Sequence, residues 1–166
     1  MSLRFRNAAA KDVAAIAALQ NAVAGALTTR HGEGPWSSPT SERSVELSLR
    51  HARVRVGVSN KRVVTVLRLA TKKPWAIDVA YFTPAKRPLY LTGMAVALAH
   101  QRHGLGRAAL DDARAVAAAW PADAIRLDAF DAPAGAGGFY ERCGYEARVR
   151  VAYKDDPLIY FELVLP

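Results

Sequence analysis

Leu89 to Val96 has nearly unbroken apolar character, and a run this short bounded by polar turns reads as a strand buried on both faces. Gln101-Arg102-His103-Gly104-Leu105-Gly106 follows after a short loop and opens a helix from Gly104 to about Trp120, which Pro121 stops. Ile125 to Phe130 then returns as a strand. A strand–helix–strand succession of this length places two parallel strands side by side with the helix as crossover.

The first half of the chain is built differently. Leu3 to Asn7 reads as a short opening strand, and Val13, Ile16, Val23 and Leu27 recur at helical spacing over roughly Lys11 to Thr28. Residues 29–40 carry His-Gly-Glu-Gly-Pro-Trp-Ser-Ser-Pro, a loop by its glycines and prolines, and a second helix is expected from Ser41 to about Arg50. The period then changes to two. Val54, Val56 and Val58 alternate with Arg53, Arg55 and Gly57, Ser59-Asn60-Lys61 makes a tight turn, and Arg62 to Ala70 is rich in β-branched residues. These form an antiparallel hairpin. Trp75 to Phe82 reads as a weaker extended stretch. After Phe130, the pattern gives a short helix over Gly135 to Cys143, a strand over Tyr145 to Tyr153, a turn at Asp155-Asp156-Pro157 and a last strand over Leu158 to Leu165. The sum is an α/β domain with a mixed sheet, antiparallel first and parallel at its centre. At 166 residues the whole chain, 1–166, is expected to form one domain.

Composition narrows the function classes. No run approaches the roughly 18 consecutive apolar residues of a membrane span, and the opening Met1-Ser2-Leu3-Arg4 lacks the pattern of a signal peptide. Cys143 is the only cysteine, so neither an internal disulfide nor a Cys-rich metal site can form, and no His pair has ligand spacing beside a carboxylate. A cytoplasmic, metal-free protein is expected. Twenty-three Lys and Arg against 15 Asp and Glu give a net charge of +8, yet the basic residues are scattered in doublets such as Lys72-Lys73 and Lys86-Arg87. No block or recognition motif points to nucleic acid.

The chemistry concentrates at the strand-to-helix junction. The first N–H groups of a helix lack internal partners and lie at the positive end of its dipole. Gly104 and Gly106 permit close backbone approach, and Arg102 and Arg107 add positive charge, so a pyrophosphate fits the junction. Two glycines making a tight turn before an Ala-rich helix is the plainer alternative. No Gly-Lys-Ser or Gly-Lys-Thr follows, and the third glycine of a dinucleotide fingerprint is missing.

These residues resemble the GCN5-related N-acetyltransferases. The Gln/Arg-x-x-Gly-x-Gly/Ala loop of that family is matched at every fixed position by Gln101 to Gly106, and its apolar-x-Val before the loop by Met94-Ala95-Val96. A second family run, aromatic-Tyr-Glu-x-x-Gly-aromatic, is matched by Phe139-Tyr140-Glu141-Arg142-Cys143-Gly144-Tyr145. The resemblance implies a fold whose central parallel strands splay apart around the pantetheine arm of acetyl-CoA. Met94, Ala95 and Val96 would hold that arm, and Gln101, Arg102, His103, Gly104, Leu105, Gly106 and Arg107 the pyrophosphate. It also implies direct attack of a primary amine on the thioester, with Tyr140 protonating the departing thiolate. Two positions depart from the family: Pro133 stands where many members carry a CoA-contacting Asn, and Tyr90 where some carry a Glu base.

The general base is therefore open. Asp78 is the first candidate, with His31 and Glu33 behind it, while His51, His100 and His103 read as surface or capping residues. Trp36, Trp75, Tyr81 and Phe82 are candidates for an acceptor pocket, and the Trp- and Pro-bearing loop at 29–40 suits a cover over it. The expected acceptor is a small-molecule amine, with a protein amine or a homodimer both compatible. A non-catalytic acyl-CoA-binding regulatory domain is the alternative, motivated by the missing Glu at Tyr90.

Overall fold

The computed structural model describes residues 2–166. Its elements run β1 (Leu3–Asn7), α1 (Val13–His31), α2 (Glu42–His51), β2 (Arg53–Ser59), β3 (Arg62–Ala70), β4 (Pro88–Val96), α3 (Leu105–Ala119), β5 (Ala124–Phe130), α4 (Gly137–Arg142), β6 (Glu146–Tyr153) and β7 (Asp156–Val164), with short 3-10 turns between some of them. The seven strands make one mixed sheet. The residues divide into two compact units, one holding the chain up to Ala70 with Thr92–Ala113, the other Thr71–Leu91 with Arg114–Pro166. The divisions fall inside β4 and inside α3.

In the first unit the strand order is β1-β2-β3-β4. β1 pairs antiparallel with β2, Phe5 opposite Gly57, and β2 with β3, Val56 opposite Val66. The hairpin turns at Asn60 and Lys61, both with positive φ (48° and 63°), at the expected Ser59-Asn60-Lys61 position. Ile16, Ala17 and Leu19 of α1 pack with Val45 of α2 on Val54, Val56 and Val66 of the hairpin. α1 begins where Asp12 Oδ2 accepts from the N–H of Ala9 at 2.8 Å while both oxygens of the carboxylate take a two-pronged bond from the Arg6 guanidinium. It ends at Gly32, whose φ of 83° only glycine adopts freely and whose N–H reaches Thr28 O. Ser41 caps α2 through Ser44 N.

In the second unit the order is β4-β5-β7-β6. β4 and β5 are parallel, as expected, but the ladder is short: Pro88 faces Ala124, Leu89 faces Ile125 and Tyr90 faces Arg126. β5 and β6 then pair antiparallel with β7. Ile77, Phe82, Tyr90 and Tyr160 form a buried cluster in which Phe82 stacks on Tyr160 at 5.3 Å.

Two expectations change. Trp75 to Phe82 is not extended; Asp78 Oδ1 accepts from Ala80 N at 3.0 Å and winds Val79–Tyr81 into a 3-10 turn. β4 is not buried along its whole length either. Leu89, Tyr90 and Leu91 are buried, but Thr92, Gly93 and Met94 are only half-buried, because Gly93 and Met94 border a cavity. Among the described residues no helix is long and apolar enough to cross a membrane.

Candidate active site

The cavity lies within the first unit and measures about 390 Å³. Ile16, Gln20 and Leu27 of α1 form one wall, Val45 and Ser48 of α2 another, and Val54, Val66 and Arg68 of the hairpin the floor. Gly93, Met94 and Ala95 of β4 close it. The loop after α1 supplies Trp36 and Thr40. That loop is tied down by two hydrogen bonds between the Asn21 side chain and the backbone of Thr40, and by a 2.6 Å contact between the Thr28 and Ser37 hydroxyls. Of the four aromatics expected around an acceptor, Trp36 lines this cavity. Trp75 is 85% exposed, Tyr81 is exposed, and Phe82 belongs to the second unit's core.

β4 bends where it meets the cavity. Gly93 has a φ of +63°, and its carbonyl accepts from Gln20 Nε2 at 2.9 Å, so α1 fixes the direction of that peptide. Met94 is half-buried and Ala95 buried, and the strand ends at Val96, whose carbonyl accepts from Gln101 Nε2 at 3.0 Å. The loop that follows therefore folds back on the strand through its own first residue.

Arg102 takes a positive φ of 63° and Gly104 one of 80°. A Cβ on Gly104 would meet nothing within 4 Å, so the approach to its backbone is open. Leu105 is buried and anchors the first turn of α3, Gly106 is half-buried, and Arg102, His103 and Arg107 are exposed. Ala108 N donates to Gly104 O at 3.0 Å. Arg55 holds Asp112 of the same helix by two bonds of 2.8 Å, fixing α3 on β2. A polyphosphate fits this turn: backbone donors, two glycines, exposed cations and no acidic residue from Gln101 to Arg107.

Tyr140 sits in the second unit on α4, 7% exposed, with its ring edge-on to Phe139 and Tyr145 and tilted on Phe161. Burial, then the charges of Asp128 and Cys143, push its phenol well above the ordinary tyrosine range. It is protonated at any physiological pH. Cys143 follows α4, half-buried. Asp78 is exposed at the start of its 3-10 turn, with its own N–H donating to the Tyr160 hydroxyl at 3.1 Å. His31 is half-buried at the end of α1 and Glu33 exposed beyond it. Tyr90 is buried, and its hydroxyl oxygen accepts from Arg126 Nη1 at 3.2 Å. Asp131, beside Pro133, is ion-paired with Arg150. Among the described residues no cluster of three His, Cys, Asp or Glu is placed to hold a metal.

Sequence reasoning missed Arg68, Ser48 and Gln20. One signal was present: Arg68 is the only charge between Val63 and Leu69, inside a strand otherwise apolar but for Thr65.

The whole chain resembles solved acetyltransferase structures at low identity. A GNAT-family acetyltransferase from Streptococcus agalactiae matches with a TM-score of 0.77 at 14% identity, over 99% of this chain and 96% of the other. The ribosomal-protein-alanine N-acetyltransferase of Brucella melitensis matches at 0.75 and 16%, over 98% and 99%. The yncA acetyltransferase of Salmonella typhimurium, solved with its cofactor acetyl-CoA, matches at 0.74 and 18%, over 100% and 95%. No curated protein matches the sequence. The model of the Acetyltransferase (GNAT) family matches residues 30–145, a span that runs from the end of α1 through the loop at Gln101–Gly106 to Tyr145, and the chain belongs to that family.

Proposed function

We propose that this protein is an acetyl-CoA-dependent N-acetyltransferase acting on a small primary amine. One observation carries the reading: a single strand, β4, walls the cavity with Gly93–Ala95 and then leads, through Val96 and the 3-10 turn Leu98–His100, into the Gln101–Gly106 turn, whose first side chain bonds back to Val96 O. A site for an acceptor and a site for a polyphosphate thereby lie on one short stretch of chain within one unit. Met94 to Val96 would align the pantetheine, and the turn from Gln101 to Arg107 would hold the pyrophosphate. The brevity of the β4–β5 ladder, three residue pairs, agrees with a strand whose later donors and acceptors serve a ligand.

Acetyl-CoA supplies an acetyl thioester, at whose carbonyl carbon a C–N bond to the amine forms while the C–S bond breaks. Tyr140 provides the proton that the leaving sulfur requires; burial keeps that proton on the phenol until the thiolate departs. Asp78 takes the proton lost by the amine nitrogen; one of its oxygens is bound to Ala80 N and its carboxylate is exposed. The test is a titration of the purified protein with acetyl-CoA and with adenosine diphosphate, followed by melting temperature, then an amine panel read by thiol release. Stabilisation by acetyl-CoA well beyond the nucleotide, with amine-dependent thiol release, is expected. No stabilisation by either ligand would overturn the assignment of the turn. Binding without turnover on any amine would favour a regulatory acyl-CoA-binding domain.

A further inference from the structure

The acceptor cavity contains a cation with no counter-ion among the described residues. Arg68 rises from β3 into it, and its guanidinium makes one hydrogen bond, Nη1 to Ser48 Oγ at 2.7 Å. Nε is buried without a partner. Among the described residues no carboxylate lines the cavity; its polar groups are hydroxyls and the Gln20 amide, already bound to Gly93 O. Burial lowers the guanidinium's pKa, as expected for a desolvated charge, although an arginine stays protonated. A buried cation retained for stability alone is normally paired. This one is held in place by Ser48 and lines a cavity that brings it no anion.

Gly93 borders the guanidinium. A Cβ built on Gly93 would stand 2.8 Å from Arg68 Nε, 3.0 Å from Nη2 and 3.2 Å from Cζ. That point lies in front of the Nε–Nη2 edge, the two-donor fork that matches the two oxygens of a carboxylate. The Gly93 backbone therefore lies close against that edge, and any side chain at this position would push the guanidinium aside. Glycine lets the guanidinium keep its place as part of the cavity lining.

We propose that the acceptor is a small amine bearing a carboxylate, an amino acid in free form, and that the Arg68 guanidinium, where it lines the cavity beside Ser48, receives that carboxylate. The inference rests on the acyltransfer reading for the fate of the amine, but the anion site stands on its own geometry. The cavity's volume, about 390 Å³, is at the small end of the roughly 300–1,000 Å³ of small-molecule sites, which suits such a ligand. Ser48 acts as a positioning residue, orienting the guanidinium through Nη1. A polypeptide N-terminus has an amide where a free amino acid has its carboxylate, so the guanidinium discriminates between them.

The test separates the anion site from the chemistry. The protein is titrated without acetyl-CoA with the free standard amino acids and, in parallel, with their carboxamides, following melting temperature. At least one free acid is expected to stabilise the protein, its amide to bind on the order of tenfold more weakly or worse, and Arg68→Met to abolish the difference. Arg68→Met is expected to melt no lower than the parent and to keep its stabilisation by acetyl-CoA, readouts a structural arginine would not give. Should that variant not fold, Ser48→Ala reports instead, with discrimination between acid and amide reduced. Equal binding of acids and amides, which would point to peptide N-termini or neutral amines, overturns the proposal, as does the absence of stabilisation by every free acid. A failed acetyl-CoA titration with intact amino-acid binding would instead remove the transferase reading and leave the anion site standing.

Discussion

Arg126 Nε and Glu162 Oε2 are 3.0 Å apart in the core of the second unit, with side chains 4% and 1% exposed. The pair is embedded in further bonds: Arg126 also donates to Thr83 O and Tyr90 Oη and lies over the Phe82 ring, while Glu162 accepts from Thr83 N. Removing one partner strands a buried charge. Glu162→Leu or Arg126→Met should cost about 3–5 kcal/mol in urea unfolding, and the double variant much less than the sum.

Tyr140→Phe should lower kcat on the order of 100-fold or more while leaving acetyl-CoA binding in place. Because burial raises the folded pKa of the phenol, the folded state retains its proton at pH values where the unfolded chain has lost it. The stability from Tyr140 is therefore complete below the ordinary pKa of about 10 and declines as pH rises above it. Tyr140→Phe should flatten that alkaline decline in a melting-temperature profile, and an unchanged profile would count against the burial.

Asp12 behaves in the opposite sense. The Arg6 guanidinium, then the Ala9 N–H, hold its carboxyl below the ordinary range against the cost of burial. Its contribution is present above the unfolded pKa near 4 and is lost as pH falls through the folded value. Asp12→Asn should destabilise the protein at neutral pH, with the gap to the parent closing as pH falls through the lowered folded value.

Gly93→Ala combines a left-handed φ of +63° with a collision at Arg68 Nε. The conformation alone costs roughly 1–2 kcal/mol. Amine turnover should fall further than stability, because the guanidinium must move. Gly104→Ala is the control: its φ is +80° but the space is open, so a stability loss of about 1 kcal/mol without loss of acceptor discrimination is expected.

Local rules carried most of the fold. The hairpin at Asn60-Lys61, the apolar start of β4 and the helix after Gly104 all follow from spacing and turn chemistry within a few residues. The segment from Trp75 to Phe82 misled because its structure depends on partners 80 residues away: Tyr160 stacks under Phe82 and bonds Asp78 N and Ala76 O. The Gln101–Gly106 turn was legible as a contiguous motif. The cavity was not, since Gln20, Ser48, Arg68 and Gly93 come from four elements and only Arg68 stands out against its neighbours.

Gln20's bond to Gly93 O has a consequence for inheritance. The span shared with the family begins at residue 30, so the α1 wall, Ile16 to Leu27, lies outside it together with the amide that steers the β4 peptide. The matched span thus takes in the α2, hairpin and β4 walls of the cavity and leaves out the α1 wall. A change at Gln20 would release the peptide that closes the cavity without altering one residue of the matched span.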